Sequence, residues 1–172
     1  MTPAKLLSKG SKIAIVATAR FVDKKDVEFS VRCLEKMGFT PVYDERLFAV
    51  CGQFAGDDDF RSATLQSYID DPEIEAILCA RGGYGTVRII DKINFDKFLL
   101  NPKWIIGYSD VTALHAKLQS MNCESLHATM PINFHDNTKT ALDSLYDALT
   151  KGNITYEIEN APINIKGEAE GE

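Results

Sequence analysis

The sequence has few of the residues that mark specialised classes of protein. Its 172 residues include four cysteines, three histidines and one tryptophan, and no two cysteines form a C-x-x-C pair. Neither a disulfide framework nor a cysteine-based zinc site is therefore indicated. Cys79 lies in an apolar strand pattern and Cys33 in an apolar helix stripe, so we expect structural thiols in a reducing, cytoplasmic environment.

Long apolar runs and basic clusters are also missing. No stretch approaches the roughly 18 apolar residues of a membrane span, and residues 1–10 lack the apolar core of a secretory signal. Lys and Arg number 19 against 25 Asp and Glu, a formal net charge of −6 with no basic stripe. At 45% hydrophobic and 26% charged residues, the composition predicts one globular domain that binds neither a membrane nor a nucleic acid.

The sequence does show a regular alternation of short apolar strands and amphipathic helices. Strands are expected at residues 12–18, 40–43, 75–80, 104–108 and 124–129, and helices at residues 23–37, 57–68, 86–93, 110–121 and 138–149. This order predicts an α/β fold, a parallel sheet with helices on both faces in three flavodoxin-like layers. Ligands of such folds gather at the carboxyl ends of the strands. We therefore search the loops after Thr18, Ala80, Tyr108 and Thr129.

The end of the chain differs from the rest. Residues 155–158 have the pattern of a short strand, and residues 160–172 are polar and have no helical face. We therefore expect an α/β domain at residues 1–152 and a linker at residues 153–172, which leads toward a C-terminal domain that is not in the sequence.

A glycine-rich loop, Arg81-Gly82-Gly83-Tyr84-Gly85, follows the third predicted strand. Glycines permit positive φ and a close approach to a ligand, and free N–H groups at a helix start bind anions or a developing oxyanion. The loop is not a dinucleotide fingerprint, because Arg88 stands where the third glycine would be, and it lacks the Gly-Lys-Ser/Thr of a Walker loop. An ordinary tight turn is the alternative interpretation.

A serine stands at the next junction between a strand and a helix, in Gly107-Tyr108-Ser109-Asp110. This is the setting of a nucleophile elbow, although the second glycine of that motif is missing. The local pattern alone favours a helix N-cap as the role of Ser109, with Asp110 suited to the first turn of the helix.

A serine nucleophile needs a base, which is usually a histidine. His115 lies on the same helix but on another face, so we expect it to make a local hydrogen bond and not to reach Ser109. His127 lies in the fifth strand near the carboxyl end of the sheet, from which it could approach the site, but a buried and satisfied histidine is the favoured interpretation. We expect His135 to be a solvated loop residue. The sequence pattern by itself therefore assembles no convincing triad.

Three consecutive aspartates, Asp57, Asp58 and Asp59, resemble a metal site at first sight. They lead directly into a predicted helix, where acidic residues are favoured. We therefore expect an exposed capping cluster, with Arg61 paired to one of its members, and no metal.

Together these segments resemble a known family. Residues 13–17, Gly56-Asp57 to Arg61, the glycine loop and residues 107–114 occur in the order and at about the spacing of the LD-carboxypeptidases. These are serine peptidases that trim murein peptides, and the microcin C self-immunity peptidases are their relatives. The resemblance covers essentially the whole chain and implies an enzyme without a metal or organic cofactor. Relatives often carry glycine where Ala128 stands, which puts only the local backbone path in doubt.

The resemblance implies a role for each matching position. Ser109 would be the nucleophile, and the backbone N–H groups of Gly83 and Asp110 would form the oxyanion hole. Arg81, Gly82 and Tyr84 would border the substrate. The Glu and His of the family's triad come from a C-terminal domain, so this chain would be the nucleophile half of a split site, with little or no activity by itself.

The reaction that the resemblance implies is release of the terminal D-alanine from murein tetrapeptide. Two alternatives stay open. One is a peptidase that inactivates a microcin C-like peptidyl-nucleotide antibiotic, and the other is a non-catalytic flavodoxin-like module that holds an anion on its glycine loop. We also expect an exposed apolar patch where a C-terminal domain would dock, through which the isolated chain could form a homodimer.

Overall fold

The computed structural model describes residues 1–152, 154–156, 159, 161–163, 165, 167 and 168. The strands are β1 (Lys12–Val16), β2 (Thr40–Val42), β3 (Ile74–Cys79), β4 (Trp104–Gly107) and β5 (Leu126–His127). The α-helices are α1 (Lys24–Lys36), α2 (Asp58–Asp70), α3 (Asp96–Leu100), α4 (Thr112–Ser120) and α5 (Lys139–Lys151). Glu157 and Ile158, half of the strand expected near the end of the chain, lie outside the described residues.

The strands form one sheet in the order β2-β1-β3-β4-β5. Every neighbouring pair is parallel, which confirms the predicted α/β class, and the strand order is that of flavodoxin-like folds. The chain moves outward in one direction from β1 to β2 and in the other from β3 to β5. The loops after β1 and β3 therefore meet at the topological switch point, where folds of this type bind their ligands.

Helices cover both faces of the sheet, because the central strands are apolar on both sides. In β1, Ile13 and Ile15 join the core beneath α1 and α5. Ala14 and Val16 point the other way and join the core beneath α2, α3 and α4. This alternation is what a parallel strand buried on both faces requires.

One local prediction is corrected by the structure, and one short helix was not predicted. The helix expected at residues 86–93 is instead a pair of 3-10 turns, Thr86–Arg88 and Ile90–Lys92. Its β-branched residues favour helices weakly, and the backbone N–H of Thr86 donates to a carboxylate of another loop. The five-residue helix α3 is too short to show a periodic pattern.

The helix starts also differ in how they are capped. Asp23 occupies the N-cap position of α1, but its side chain makes no capping hydrogen bond. Asp57 does cap α2, because its carboxylate accepts the N–H of Phe60 at 2.8 Å. Within the described residues, no helix is long and apolar enough to cross a membrane.

Candidate active site

Ser109 lies directly beyond the carboxyl end of β4, at a sharp reversal of the chain. It is exposed and has φ +61°, a left-handed conformation that non-glycine residues adopt rarely. The turn is so tight that a Cβ on Gly107 would lie only 2.9 Å from the buried Val111 side chain. A strained, exposed serine at a strand-to-helix turn is the geometry of a nucleophile elbow.

The N-cap interpretation of Ser109 is wrong. Ser109–Val111 is a 3-10 turn, its N-cap position is held by Tyr108, and α4 begins only at Thr112. No side-chain capping bond is made at either start. The Ser109 hydroxyl is therefore not used to satisfy the helix backbone.

The glycine loop packs directly against this turn. A Cβ on Gly82 would lie 3.2 Å from the Cβ of Ser109 and 3.3 Å from the backbone nitrogen of Asp110. Gly83 and Gly85 have φ +114° and +138°, a region that strains any residue with a side chain. Glycine is therefore needed here both for the backbone path and for the close approach to Ser109.

Side chains connect the loops on both sides of Ser109. The Asp110 carboxylate accepts the backbone N–H of Thr86 at 2.8 Å. The hydroxyl of Thr86 lies 2.9 Å from that of Thr18, in a buried pair. The turn after β4, the loop after β3 and the loop after β1 are thereby held in one arrangement.

Arg61 anchors the same loops from beneath the surface. Its side chain is fully buried, and Nη1 donates to the carbonyl oxygens of Thr18 and Gly85, the latter at 2.9 Å. Nε donates to the carbonyl oxygen of Gly56 at 3.3 Å. Burial lowers the pKa of Arg61, and the neighbouring Asp58 carboxylate opposes that shift. Sequence reasoning expected only the carboxylate pairing, because the three carbonyl partners come from distant segments.

The aspartate cluster caps the helix and forms ion pairs, as expected. The Asp58 carboxylate pairs with Arg61 and with Arg88, the latter at 2.7 Å. The Arg88 hydrogen bond holds the pKa of Asp58 below its usual value. Asp59 pairs with Lys92. The carboxylates are thus bound by cations of the chain itself.

A shallow cavity of about 220 Å³ opens at Ser109. It is lined by Arg20, Arg81, Gly82, Gly83, Tyr108, Ser109, Met130, Ile132 and Asn133. Tyr84 does not border this cavity: it is 46% exposed, and its ring lies 6.2 Å from that of Phe54. Sequence reasoning missed Arg20 and Asn133. The rule that ligands collect at the carboxyl ends of strands pointed to both loops, but it did not select a side chain.

Backbone donors are available beside the hydroxyl. Within the described part of the chain, no hydrogen bond uses the N–H of Gly83 or of Asp110. Gly83 lines the cavity with Ser109, and Asp110 is the next residue along the turn. Free N–H groups next to a nucleophile can receive an anion or a developing negative charge.

None of the three histidines, all of which lie in the described part of the chain, forms a hydrogen bond with Ser109. The ring of His115 lies between the Gly107 carbonyl, 2.9 Å from Nε2, and the Ser125 hydroxyl, 2.8 Å from Nδ1. Burial lowers the pKa of His115, and the bond to Gly107 opposes that shift. The expectation of a local role is therefore confirmed for His115. A carbonyl can only accept, so Nε2 carries the proton in the neutral ring.

The other two histidines are exposed. For His127 the expectation of burial is wrong, because β5 is a two-residue strand at the edge of the sheet. Its ring lies 6.1 Å from that of Tyr108, in a neighbouring cavity. His135 lies 3.4 Å from the Asp136 carboxylate. Among the described residues, no histidine hydrogen-bonds to Ser109.

Comparison with known proteins identifies the family to which this chain is similar. A model of the LD-carboxypeptidase N-terminal domain matches residues 13–128. A Bacillus subtilis (strain 168) protein named "Probable murein peptide carboxypeptidase" is 33% identical over 177 residues, 98% of this chain and 54% of that protein. The microcin C7 self-immunity protein MccF of Escherichia coli is 32% identical over 117 residues, 63% of this chain and 30% of that protein.

The fold has the same relatives. The solved structure of MccF in complex with glutamyl sulfamoyl guanosine has a TM-score of 0.78 and 23% identity, over 86% of this chain and 46% of that one. The chain spans about half the length of the Bacillus protein and of this MccF chain. The match over residues 13–128 includes Ser109, the glycine loop and Arg20, and ends before the cavity residues Met130, Ile132 and Asn133. The chain therefore belongs to the LD-carboxypeptidase family of serine peptidases, as the N-terminal domain of that family.

Proposed function

We propose that this domain carries the nucleophile of a serine carboxypeptidase. The observation that supports this most strongly is Ser109 itself, an exposed serine at φ +61° beyond the carboxyl end of β4. Neither its hydroxyl nor the N–H groups of Gly83 and Asp110 are needed by the fold around them. The buried Arg61 and Thr86 and the half-buried Asp110 carboxylate connect the loops that carry these groups.

The reaction follows from those groups. The Ser109 Oγ attacks the carbonyl carbon of the last peptide bond, and its proton passes to a base. The N–H groups of Gly83 and Asp110 receive the negative charge of the tetrahedral intermediate. The terminal residue leaves as the amine and takes up the proton, which leaves an ester on Ser109. Water then hydrolyses the ester and restores the serine.

The base comes from outside this chain in our proposal. No histidine of the described residues is bonded to Ser109, and the chain spans about half of the Bacillus relative. A C-terminal domain would supply the histidine and the glutamate that orients it. Residues 153–172 would connect the two domains, and the 172-residue chain by itself would have little or no activity.

The proposed substrate of the intact protein is murein tetrapeptide, which would lose its terminal D-alanine. The Bacillus relative is named as a murein peptide carboxypeptidase. The test is D-alanine release by the 172-residue chain and by the protein extended to its natural end. We expect release by the longer protein only, and a loss of about 10³-fold or more in its Ser109→Ala variant.

A matched serine serves as the control in that experiment. Ser120 is exposed at the end of α4 and bonds only to the carbonyl of Lys117, so Ser120→Ala should leave turnover unchanged. Unchanged D-alanine release by the Ser109→Ala variant would refute the proposal that Ser109 is the nucleophile. Release by the short chain would refute the proposal that the base lies in another domain.

The likeness to MccF supports a second candidate substrate. In that case the intact protein would hydrolyse an aminoacyl sulfamoyl nucleotide and leave murein tetrapeptide intact. Both compounds should be offered to the same preparation. If neither is cleaved and an acylating serine reagent fails to label Ser109 in the intact protein, a non-catalytic anion-binding module becomes the better explanation.

A further inference from the structure

The cavity at Ser109 is positively charged in an acidic protein. The chain has a formal net charge of −6, yet Arg20 and Arg81 supply all the charged side chains that line the cavity. In the described part of the chain, neither arginine forms an ion pair with a carboxylate within 4.0 Å. Two guanidinium groups without counter-charges at a cavity wall favour an anionic ligand.

Arg20 and Ser109 both contact the glycine loop. A Cβ on Gly82 would lie 3.2 Å from the Cβ of Ser109, and a Cβ on Gly83 would lie 2.7 Å from the Cδ of Arg20. Ser109 and Arg20 therefore pack against neighbouring glycines of the same loop, and both line the cavity.

The Arg20 guanidinium also has one N–H donor, at Nε, without a hydrogen-bond partner among the described residues. Its Nη2 donates to the amide oxygen of Gln53 at 3.0 Å, which orients the group without neutralising its charge. Its Nε is buried and has no partner among the described residues. A buried N–H without an acceptor is uncommon in native proteins and is explained when a ligand completes it.

Arg81 is oriented in a similar way by neutral groups. One of its guanidinium nitrogens donates to the carbonyl oxygen of Phe21 at 3.2 Å, and the group lies 5.9 Å from the centre of the Phe21 ring. Its charge is also left uncompensated. The two arginines border the same cavity from the loops after β1 and β3, at the switch point of the sheet.

We propose that Arg20, assisted by Arg81, binds the C-terminal carboxylate of the peptide substrate. This rests on the proposed function, in which Ser109 attacks the last peptide bond. The free carboxylate lies one residue beyond the bond that is cleaved, and Arg20 and Arg81 line the same cavity as Ser109. The arginines would thus make the enzyme a carboxypeptidase, because a peptide without a free terminal carboxylate loses its anchor.

The test compares two murein tetrapeptides that differ only at the C-terminus, one with the free acid and one with the primary amide. Binding is measured by calorimetry on the intact protein carrying Ser109→Ala, and kcat/KM on the intact protein with Ser109. We expect the acid to bind more tightly than the amide. Arg20→Gln should weaken acid binding and lower its kcat/KM about 10- to 100-fold, as for a lost charge-assisted hydrogen bond. The corresponding values for the amide should change less than about three-fold.

Arg32→Gln is the matched control, because it removes the same charge from an exposed residue of α1 that does not line the cavity. It should leave both peptides unaffected. Equal losses for acid and amide in Arg20→Gln, or no preference for the acid in the unmodified site, would overturn the carboxylate assignment. Preference for the acid without any D-alanine release would instead refute the proposed reaction and leave the carboxylate site standing.

Discussion

Two buried cations lie at opposite ends of the sheet and bind in different ways. Arg61, at the carboxyl ends of the strands, donates to backbone carbonyls of Thr18, Gly56 and Gly85 and pairs with a carboxylate. Lys103, which precedes β4 at the amino ends, donates to the carbonyls of Tyr68 and Asp71.

The difference shows what each end of the sheet requires. The carbonyls of Tyr68 and Asp71 belong to the end of α2, so Lys103 satisfies the last turn of one helix, where a cation is favoured. Arg61 joins loops from separate segments, which the planar fork of a guanidinium can do and an ammonium cannot do as well. The end of the sheet with the tied loops is the end that holds Ser109. Preorganising a site requires such support from behind.

The largest effect that tests this comparison is expected for Arg61→Met. The substitution removes a donor from three buried carbonyls, of which that of Gly85 keeps the N–H of Arg88, and leaves Asp58 without one of its partners. Breaking a buried pair of this kind costs about 3–5 kcal/mol, and we expect that loss in the free energy of unfolding measured by urea denaturation.

Arg32→Met removes an exposed arginine and is the control for Arg61→Met. It should stay within about 0.5 kcal/mol of the parent protein. A loss below about 1 kcal/mol for Arg61→Met would be typical of an ordinary surface contact, and it would contradict the idea that Arg61 ties the loops together.

A smaller effect is expected for Lys103→Met. Lys103 is 2% exposed, and methionine fills much of the same space, so the loss is confined to two carbonyls at the end of α2. We expect a decrease of about 1–3 kcal/mol in the free energy of unfolding. D-alanine release by the intact protein should not change at temperatures where the variant is folded. If Lys103→Met were as damaging as Arg61→Met, or if it reduced turnover, the two ends of the sheet would not differ as we describe.

The contrast between these cations also shows which features a sequence can predict. The strands and their parallel arrangement followed from apolar segments of the right length, such as residues 12–18, that alternate with helices. The loops of Ser109 and Gly82 were identifiable because a motif of strand, turn and helix is local in sequence, but the local pattern favoured an N-cap for Ser109 and only the family resemblance implied a nucleophile. The partners of Arg61 lie up to 43 residues away, so no local pattern indicates them. His127 was expected to be buried because its strand is apolar, but an edge position is a property of the sheet.

Arg20 was missed for a related reason. It lies in a loop that the carboxyl-end rule selected, but a single arginine in a loop is most often solvated. Its place in the cavity depends on Gly83, which lies 63 residues further along the chain (83 − 20). A side chain on Gly83 would collide with Arg20. Contacts of this kind become visible only when the two loops are placed together.

The smallest effect concerns His115, a base at the same end of the sheet as Arg61 that is held neutral. Burial lowers the pKa of His115 from its ordinary value of 6.5. When the pH falls below 6.5, the unfolded chain therefore takes up a proton that the folded protein does not, and the free energy of unfolding decreases. The decrease levels off below the folded pKa, where both states are protonated. Above pH 6.5 both states are neutral and this contribution is constant.

The comparison of the parent protein with His115→Gln isolates that contribution, because the other titrating groups cancel in the difference. Urea denaturation at pH 7.5, 6.5 and 5.5 should show the advantage of the parent shrinking toward low pH. A growing advantage on acidification would mean that His115 is charged in the fold. The Gly107 carbonyl beside Ser109 would then be held by an imidazolium, a second cation at the end of the sheet that Arg61 supports.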